Sequence, residues 1–502
     1  MKVFFSWSGQ RSHAVAMALG PWLRRLIQAI QPWDSTNIPK GSRWGREVTT
    51  ELEKTRVGII CLTNDNLKAP WILFEAGALS KTSDGLVATF LLDVASADVE
   101  PPLGQFQHTT NQKEDIRKLV RPLDGNRIGQ TSATRGSSPW AGPIVILEGL
   151  MTTFQLGLDT FGDVTVDTQG ALHSHAHTLR EVVREAVLAE EVGIEAFGVG
   201  EHHRPDFSIS APEVVLAAIA GRTERLVLGS AVTVLSTDDP VRVFERFSTL
   251  NALSNGRAEV ILGRGSFTES YPLFGYDLSN YEELFEEKLA LFAKLLKSGP
   301  VSWTGRTRAA LTGQTVYPPV EHGPLRTWVG VGGSPDSVRR AARYGLPLTL
   351  AIIGGDPQRF RPYVDLYYES LERHGQPKRE VAVHSPGHVA NTDAEAKAEL
   401  WPHYQAMMAR IGAERGWPPP TRAQFEREAG PGGALCVGSP ETVAAKITNT
   451  ARLLDLSRFN MKYSNGTLAH DKLMRSIELF GTEVAPRVRE RVRAMATQES
   501  NV

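Results

Sequence analysis

Cysteine is nearly missing from this 502-residue chain: Cys61 and Cys436 are its 2 thiols. They are too few for a disulfide framework and have no C-x-x-C or zinc-ligand spacing, which fits a reducing cytosol and predicts no metal site. An excess of either charge is missing too, since 55 Lys and Arg stand against 56 Asp and Glu, a formal net charge of −1. Without a basic tail or stripe, neither nucleic acid nor an anionic membrane is an expected partner. No apolar run approaches the ~20 residues of a membrane span. The opening MKVFFSWSGQRS turns polar too soon for a signal peptide, so a cytoplasmic protein is expected. What remains is usual for a globular chain, with 41% hydrophobic and 22% charged residues. The length is about three times the ~150 residues of one domain, which predicts two or three domains.

Residues 1–125 alternate between strand and helix. Lys2–Trp7, Val57–Leu62 and Leu86–Leu92 read as strands; Ser12–Ile30, Ala69–Ser80 and Lys113–Val120 read as helices. That alternation predicts a parallel, doubly wound, flavodoxin-like sheet. Residues 126–150 are rich in Gly, Ser, Thr and Pro at first and read as a linker. From Met151 eight strands are predicted: Phe154–Thr160, Ala196–Glu201, Leu226–Val234, Ala258–Leu262, Thr327–Val331, Pro347–Ile352, Val381–His384 and Phe459–Tyr463. A right-handed βα unit repeated eight times closes into a (β/α)₈ barrel, here over 151–490 with a tail at 491–502. The surplus length falls in 266–325 and 385–430.

In the first module FFSWSG places Ser6 at the carboxyl end of a strand, where ligands bind in open α/β sheets. The loop PWDSTNIPKGSRW carries Arg43 and Trp44. In APWILFEAGALSK, Trp71 and Glu75 stand four apart and share one helical face. A carboxylate beside an indole suits a cationic aromatic ligand. These three segments resemble bacterial TIR domains. The resemblance implies cleavage of the nicotinamide–ribose bond of NAD, with Glu75 catalytic and Ser6, Arg43, Trp44 and Trp71 around the substrate. One departure stands out: the family's final helix, rich in Trp and Phe, is not found before the linker. The module is therefore also open to a purely assembling role.

Three stretches of the second module carry chemistry. FGVGEHHRPDF places Glu201, His202 and His203 at a strand end, where barrel enzymes hold catalytic side chains. LVLGSAVTVLSTDDP is packed with small residues, and ILGRG sets Arg264 between glycines; a guanidinium fork suits a phosphate. TWVGVGGSPDSV runs through Gly332, Gly333 and Ser334 into a helix, whose free amides attract phosphate. In this order the stretches resemble the bacterial luciferase and flavin-dependent monooxygenase superfamily. The resemblance implies reduced FMN from a separate reductase, with a deazaflavin as the alternative. By the same resemblance His202 is the active-site histidine, and Arg264 and Ser334 contact the flavin phosphate. Glu201, Gly332 and Gly333 join the flavin site, and Ala231–Val232 lies under the ring with a non-proline cis peptide.

Other groups have plainer expectations. Ser210 is a candidate helix N-cap, Asp238 and Asp239 cap the helix at Pro240, and Arg257 is structural. His173, His175 and His177 are expected in a solvated loop before a helix. Asn465 and His470 follow the last strand at the ligand-facing end, with contact to flavin or substrate left open. Three functions compete: a monooxygenase joined to an NAD-cleaving module, a flavoenzyme tethered to an assembly module, and a flavin sensor governing NAD cleavage in defence. Small-molecule substrates and a homo-oligomer are expected throughout.

Overall fold

The computed structural model describes residues 2–26, 30–33, 55, 57–63, 66–79, 86–92, 94, 98–110, 115 and 118–119, and 154–499 apart from 168, 298 and 321–323. Arg43, Trp44 and the predicted linker at 126–150 lie outside the described residues. Contacts divide the chain into two units, Met1–Thr153 and Phe154–Val502. No helix among the described residues is long and apolar enough to cross a membrane.

The first unit holds five parallel strands: β1 (Lys2–Ser6), β2 (Gln31–Trp33), β3 (Val57–Leu62), β4 (Leu86–Leu91) and β5 (Gln107–Thr109). Their spatial order is β2-β1-β3-β4-β5, the flavodoxin-like order. The three predicted strands form its centre. They are apolar runs sealed on both faces, as parallel sheets require; all six residues of β3 are buried. The edge strands β2 and β5 escaped prediction because three residues are too few to show a period. Helices Gln10–Leu26 and Pro70–Leu79 pack on the sheet. Of the predicted helix Lys113–Val120, the described residues Asp115, Lys118 and Leu119 are helical.

The second unit is a closed parallel barrel. Its eight staves are β6 (Gln155–Thr160), β7 (Ala196–Val199), β8 (Val227–Ser230) continued by β9 (Thr233–Val234), β10 (Ala258–Gly263), β13 (Arg326–Val331), β14 (Leu348–Ala351), β15 (Val381–Val389) and β17 (Arg458–Lys462). Pairing of β17 with β6 and of β10 with β13 closes the ring. Between β10 and β13 lie the helix Tyr281–Leu295 and a hairpin of β11 (Val301–Trp303) and β12 (Leu311–Gln314). Between β15 and β17 come the helices Asp393–Arg415 and Arg422–Ala429, the short β16 (Cys436–Gly438) and the helix Pro440–Leu454. The last helix, Ala485–Glu499, crosses the boundary predicted at residue 490.

Side chains alternate across each stave. Leu156 and Leu158, Val260 and Leu262, and Phe459 and Met461 join the apolar shell beneath the helices. Their sequence neighbours point inward, and many of these are polar or glycine. Near the amino ends, Arg458 and Glu259 are almost fully buried, at 1% and 2% exposure. Arg458 pairs with both Glu259 carboxylate oxygens and donates to Gln155 Oε1 at 2.9 Å. Trp328 donates its indole proton to Glu259 Oε2 at 3.1 Å. Burial works to raise the Glu259 pKa, but Arg458 and Arg326 outweigh it and hold the carboxyl below its usual range.

Two local expectations change. Ala211, not Ser210, stands at the N-cap of the helix Pro212–Ala220, because Pro212 sets the first turn and no side chain caps it. His175 and His177 belong to the helix His175–Glu191, which starts earlier than expected because Ser174 accepts from His177 N. Asp239 does cap the helix at Pro240, accepting from Val241 N and Arg242 N. Arg257 is structural, donating to four backbone carbonyls and to Thr223 Oγ1. Both cysteines are free and buried.

Breaking the inner ion pair while leaving Arg458 in place strands a buried cation. Glu259→Gln is expected to cost about 3–5 kcal/mol in a urea unfolding curve of the barrel. A cost below about 1 kcal/mol would show that water reaches this layer.

Candidate active site

The carboxyl ends of the staves converge on Phe161, the first residue beyond β6. His202, three residues beyond β7, meets its ring edge-on at 4.4 Å and 71°. His384 of β15 stacks on it at 5.7 Å and 10°. Lys462, the last residue of β17, points its ammonium at the same ring from 4.6 Å. Phe207 and Phe267 complete an apolar wall around His202, with centroids 4.6 and 5.2 Å away. Burial, followed by the nearby positive groups Lys462, His203 and Arg204, pushes the His202 pKa down to about 3. Its imidazole is therefore neutral at neutral pH, with one ring nitrogen able to donate a hydrogen bond and the other to accept one.

Beneath this wall the polar groups are tied together. Lys462 Nζ lies 3.1 and 3.0 Å from the two oxygens of Asp163. Ser464 donates to Asp163 Oδ2 at 2.6 Å, and Gly466 N to Asp163 Oδ1 at 2.9 Å. Burial lowers the Lys462 pKa although Asp163 opposes the shift. Asp159 Oδ2 lies 2.7 Å from His384 Nδ1.

The peptide between Ala231 and Val232 is cis. Side chains are excluded around it: a Cβ on Gly263 would stand 2.5 Å from Val232 Cγ2, and one on Gly200 2.8 Å from the Ala231 carbonyl oxygen. Glu201 supports this segment. Its backbone N–H donates to Val232 O at 3.1 Å, and its Oε2 accepts from Val234 N at 2.8 Å. Its Oε1 lies 2.9 Å from His203 Nε2, so Glu201 and His203 share one side of the chain and His202 takes the other.

A cationic cup lies at the ends of β10 and β13. Arg264 pairs with Glu282 Oε1, and Arg340 donates to Glu282 Oε2 at 3.2 Å. One exposed carboxylate therefore sits between two guanidiniums, in the place of an anion. Ser334 caps the helix Pro335–Arg343 by accepting from Ser337 N. Gly332 has open space on its Cβ side, and Gly333 has a φ of +118°, a conformation that favours glycine.

Other predicted residues do different work. Asn465 is buried, and its amide donates to Gly387 O at 3.1 Å and Lys462 O at 3.2 Å. His470 lies 3.0 Å from Glu185 Oε1 and 2.5 Å from Glu181 Oε2. Among the described residues no group of three or more His, Cys, Asp or Glu could hold a metal ion.

In the first unit, Ser6 and Glu75 come together from opposite sequence segments. Ser6 donates to Glu75 Oε2 and Trp71 Nε1 to Glu75 Oε1, each at 2.5 Å. Glu75 is 2% exposed. Burial raises its pKa to about 7 against the lowering effect of both hydrogen bonds.

Residues 160–457 match the family model of the luciferase-like monooxygenases. The chain belongs to the luciferase-like monooxygenase family. The alkanal monooxygenase alpha chain of Photorhabdus laumondii is 26% identical over 219 residues, which cover 43% of this chain and 60% of that protein. The present chain thus spans about three-fifths of that relative. The N-acetyl-S-alkylcysteine monooxygenase of Bacillus subtilis is 36% identical over 117 residues, covering 23% of this chain and 35% of that protein. Monooxygenase RslO1 from Streptomyces bottropensis shares the fold, with a TM-score of 0.58, 21% identity, and coverage of 66% of this chain and 99% of that one. The oxygenating constituent of 3,6-diketocamphane monooxygenase from Pseudomonas putida, solved with FMN, aligns with a TM-score of 0.54 and 20% identity, covering 67% and 98% of the two chains.

This luciferase-like barrel holds several site residues that motif reading passed over: Asp159, Asp163, Arg340, His384 and Lys462. Three of them left a trace. QLGLDT, VAVHSP and RFNMKY put a polar residue on the inward beat of a buried strand, which needs a partner or a task; Asp163 left none. Arg340 was hidden in an ordinary arginine pair.

The lowered His202 pKa has a sign that can be checked. The fold favours the neutral ring, so stability present above the ordinary value of 6.5 drains away as pH falls from there towards 3. His202→Asn is expected to remove part of the acid-side slope in unfolding free energy. Equal slopes in both proteins would place His202 in water.

Proposed function

We propose that the barrel is a flavin-dependent monooxygenase acting on a small organic molecule, with reduced FMN delivered by a separate reductase and a deazaflavin as the alternative cofactor. The observation that carries the reading is the Arg264–Glu282–Arg340 bridge beside the helix N-terminus at Ser334. Two buried or half-buried cations, a helix N-terminus and an exposed carboxylate that a phosphate can displace suit the phosphate end of a flavin. The glycine-cleared Ala231–Val232 segment suits its planar end, since the ring can approach the backbone there. The FMN-bound structure of the 3,6-diketocamphane monooxygenase constituent, on the same fold, supports FMN. The F420-dependent secondary alcohol dehydrogenase, with a TM-score of 0.53, keeps the deazaflavin alternative in view.

When bound, reduced flavin supplies the electrons that activate molecular oxygen. The chain's own groups do the rest. Arg264, Arg340 and Ser334 hold the phosphate; Glu201 fixes the strand beneath the ring. Phe161, Phe207 and Phe267 keep water from the mouth. His202, neutral and edge-on to Phe161, receives or returns a proton at its ring nitrogen.

A second reading concerns the first unit. We infer a TIR domain that cleaves NAD, with Glu75 stabilising positive charge at the ribose and Ser6, Trp71, Arg43 and Trp44 around the substrate. The Ser6–Glu75–Trp71 cluster favours it, because a buried carboxyl poised near neutral pH is unusual in a merely structural helix. An assembly module and a flavin-sensing switch are the competing roles.

Titration with FMN, followed by fluorescence quenching, tests the barrel. Arg264→Ala is expected to weaken binding by about 1.5–3 kcal/mol, the scale of a charged hydrogen bond. Absence of binding by any flavin ends the oxidoreductase reading. For the first unit, incubation with NAD is expected to release nicotinamide, and Glu75→Ala to abolish release. Equal release from both proteins would rule out NAD cleavage by this cluster.

A further inference from the structure

His384 has no part in the motifs that mark the flavin site, yet the fold carries it to the same chamber. Ala382, two residues earlier on β15, packs with Ile261 and Trp328 inside the barrel. By strand alternation His384 points inward as well, one step nearer the carboxyl end. On β6, Asp159 is inward for the same reason, and its Oδ2 lies 2.7 Å from His384 Nδ1. A buried carboxylate at Nδ1 selects the tautomer with its proton there, which leaves Nε2 as the free nitrogen. No described residue hydrogen-bonds Nε2, and the side chain keeps 10% of its surface accessible while Asp159 keeps 1%.

The setting is that of a working group, not of a buried strut. The ring stacks on Phe161, whose edge is shared with His202, so two imidazoles flank one phenyl ring. The charged and titratable groups around it are Asp159 on β6, Lys462 on β17 and His202 beyond β7. Lys462 is already committed to Asp163. On the other flank, the β14 partner Ala351 is apolar. A carboxylate-oriented imidazole with one open nitrogen, set among aromatic rings, can exchange a proton with a single polar atom of an otherwise apolar molecule.

We propose that His384, positioned by Asp159, is a second proton-handling residue of the flavin chamber, with Nε2 directed at a carbonyl or hydroxyl oxygen of an apolar substrate. This rests on the flavin reading of the barrel. The proton is accounted for at each step: Nε2 takes the proton of a hydroxyl, the ring becomes an imidazolium held at Nδ1 by Asp159, and the same proton returns from Nε2 to an alkoxide or carbonyl oxygen.

The test uses the full chain labelled with ¹⁵N at histidine, with the His384 resonances assigned from His384→Gln. Oxidised FMN is the probe. Addition of FMN is expected to shift the His384 Nε2 signal while leaving that of His388, which is bonded to Glu399, in place. FMN binding with an unmoved His384 signal overturns this proposal and leaves the flavin reading standing. No FMN binding removes both. The second readout is reoxidation of bound reduced FMN in aerated buffer, followed by the return of flavin absorbance against pH. His384→Gln should delete one inflection from that profile with FMN affinity within about threefold of wild type. Asp159→Asn, which removes the acceptor that fixes the tautomer, should change the same profile and move the His384 Nδ1 signal. An unchanged profile in both variants shows that the pair is structural and overturns the proposal.

Discussion

Eight parallel strands closed on themselves leave an interior only wide enough for side chains, and everything in the second unit follows from what fills it. The outward rows, Leu156 and Leu158 or Phe459 and Met461, are apolar and anchor the helices. The inward rows are spent differently at the two ends. Near the amino ends, Arg458 and Glu259 close on each other and seal the barrel. Towards the carboxyl ends, glycines and charged groups leave room and chemistry. A charge inside such a ring must meet a partner, because desolvation otherwise costs several kcal/mol. Each one here does: Asp159 meets His384, Asp163 meets Lys462, and Glu201 meets Val234 N and His203.

That requirement links stability to the site. The groups that line the chamber are held by the same bonds that make their burial tolerable, so their geometry is set before any ligand arrives. His202 illustrates the other half of the design. It lacks a carboxylate and sits among phenyl rings and positive charge, which keeps its imidazole neutral. Two histidines on one phenyl ring thus experience opposite surroundings, one apolar and cationic, the other steered by Asp159.

The first unit reaches a similar end with fewer residues. Ser6 and Trp71 both spend their donors on Glu75, and burial still lifts that carboxyl to about pH 7. The arrangement sits at the carboxyl end of β1, where a doubly wound sheet opens a crevice.

From its residues alone this chain determined a great deal. Strand–helix alternation marked all eight staves and the three central strands of the first sheet, since period and apolar runs are local properties. EHH, GRG and GGSP fall at strand ends, and small residues surround the Ala231–Val232 peptide. Tertiary structure alone decided which distant groups meet. Nothing local joins Asp159 to His384 across 225 positions or Arg264 to Arg340 through Glu282. Such pairs depend on how far each stave slides along its neighbour as the barrel closes, a register set by all the strands together. The helix starts at Ala211 and Ser174 likewise turned on backbone geometry that the residue types did not reveal. The motifs thus marked where chemistry stands, and closure of the barrel chose its partners.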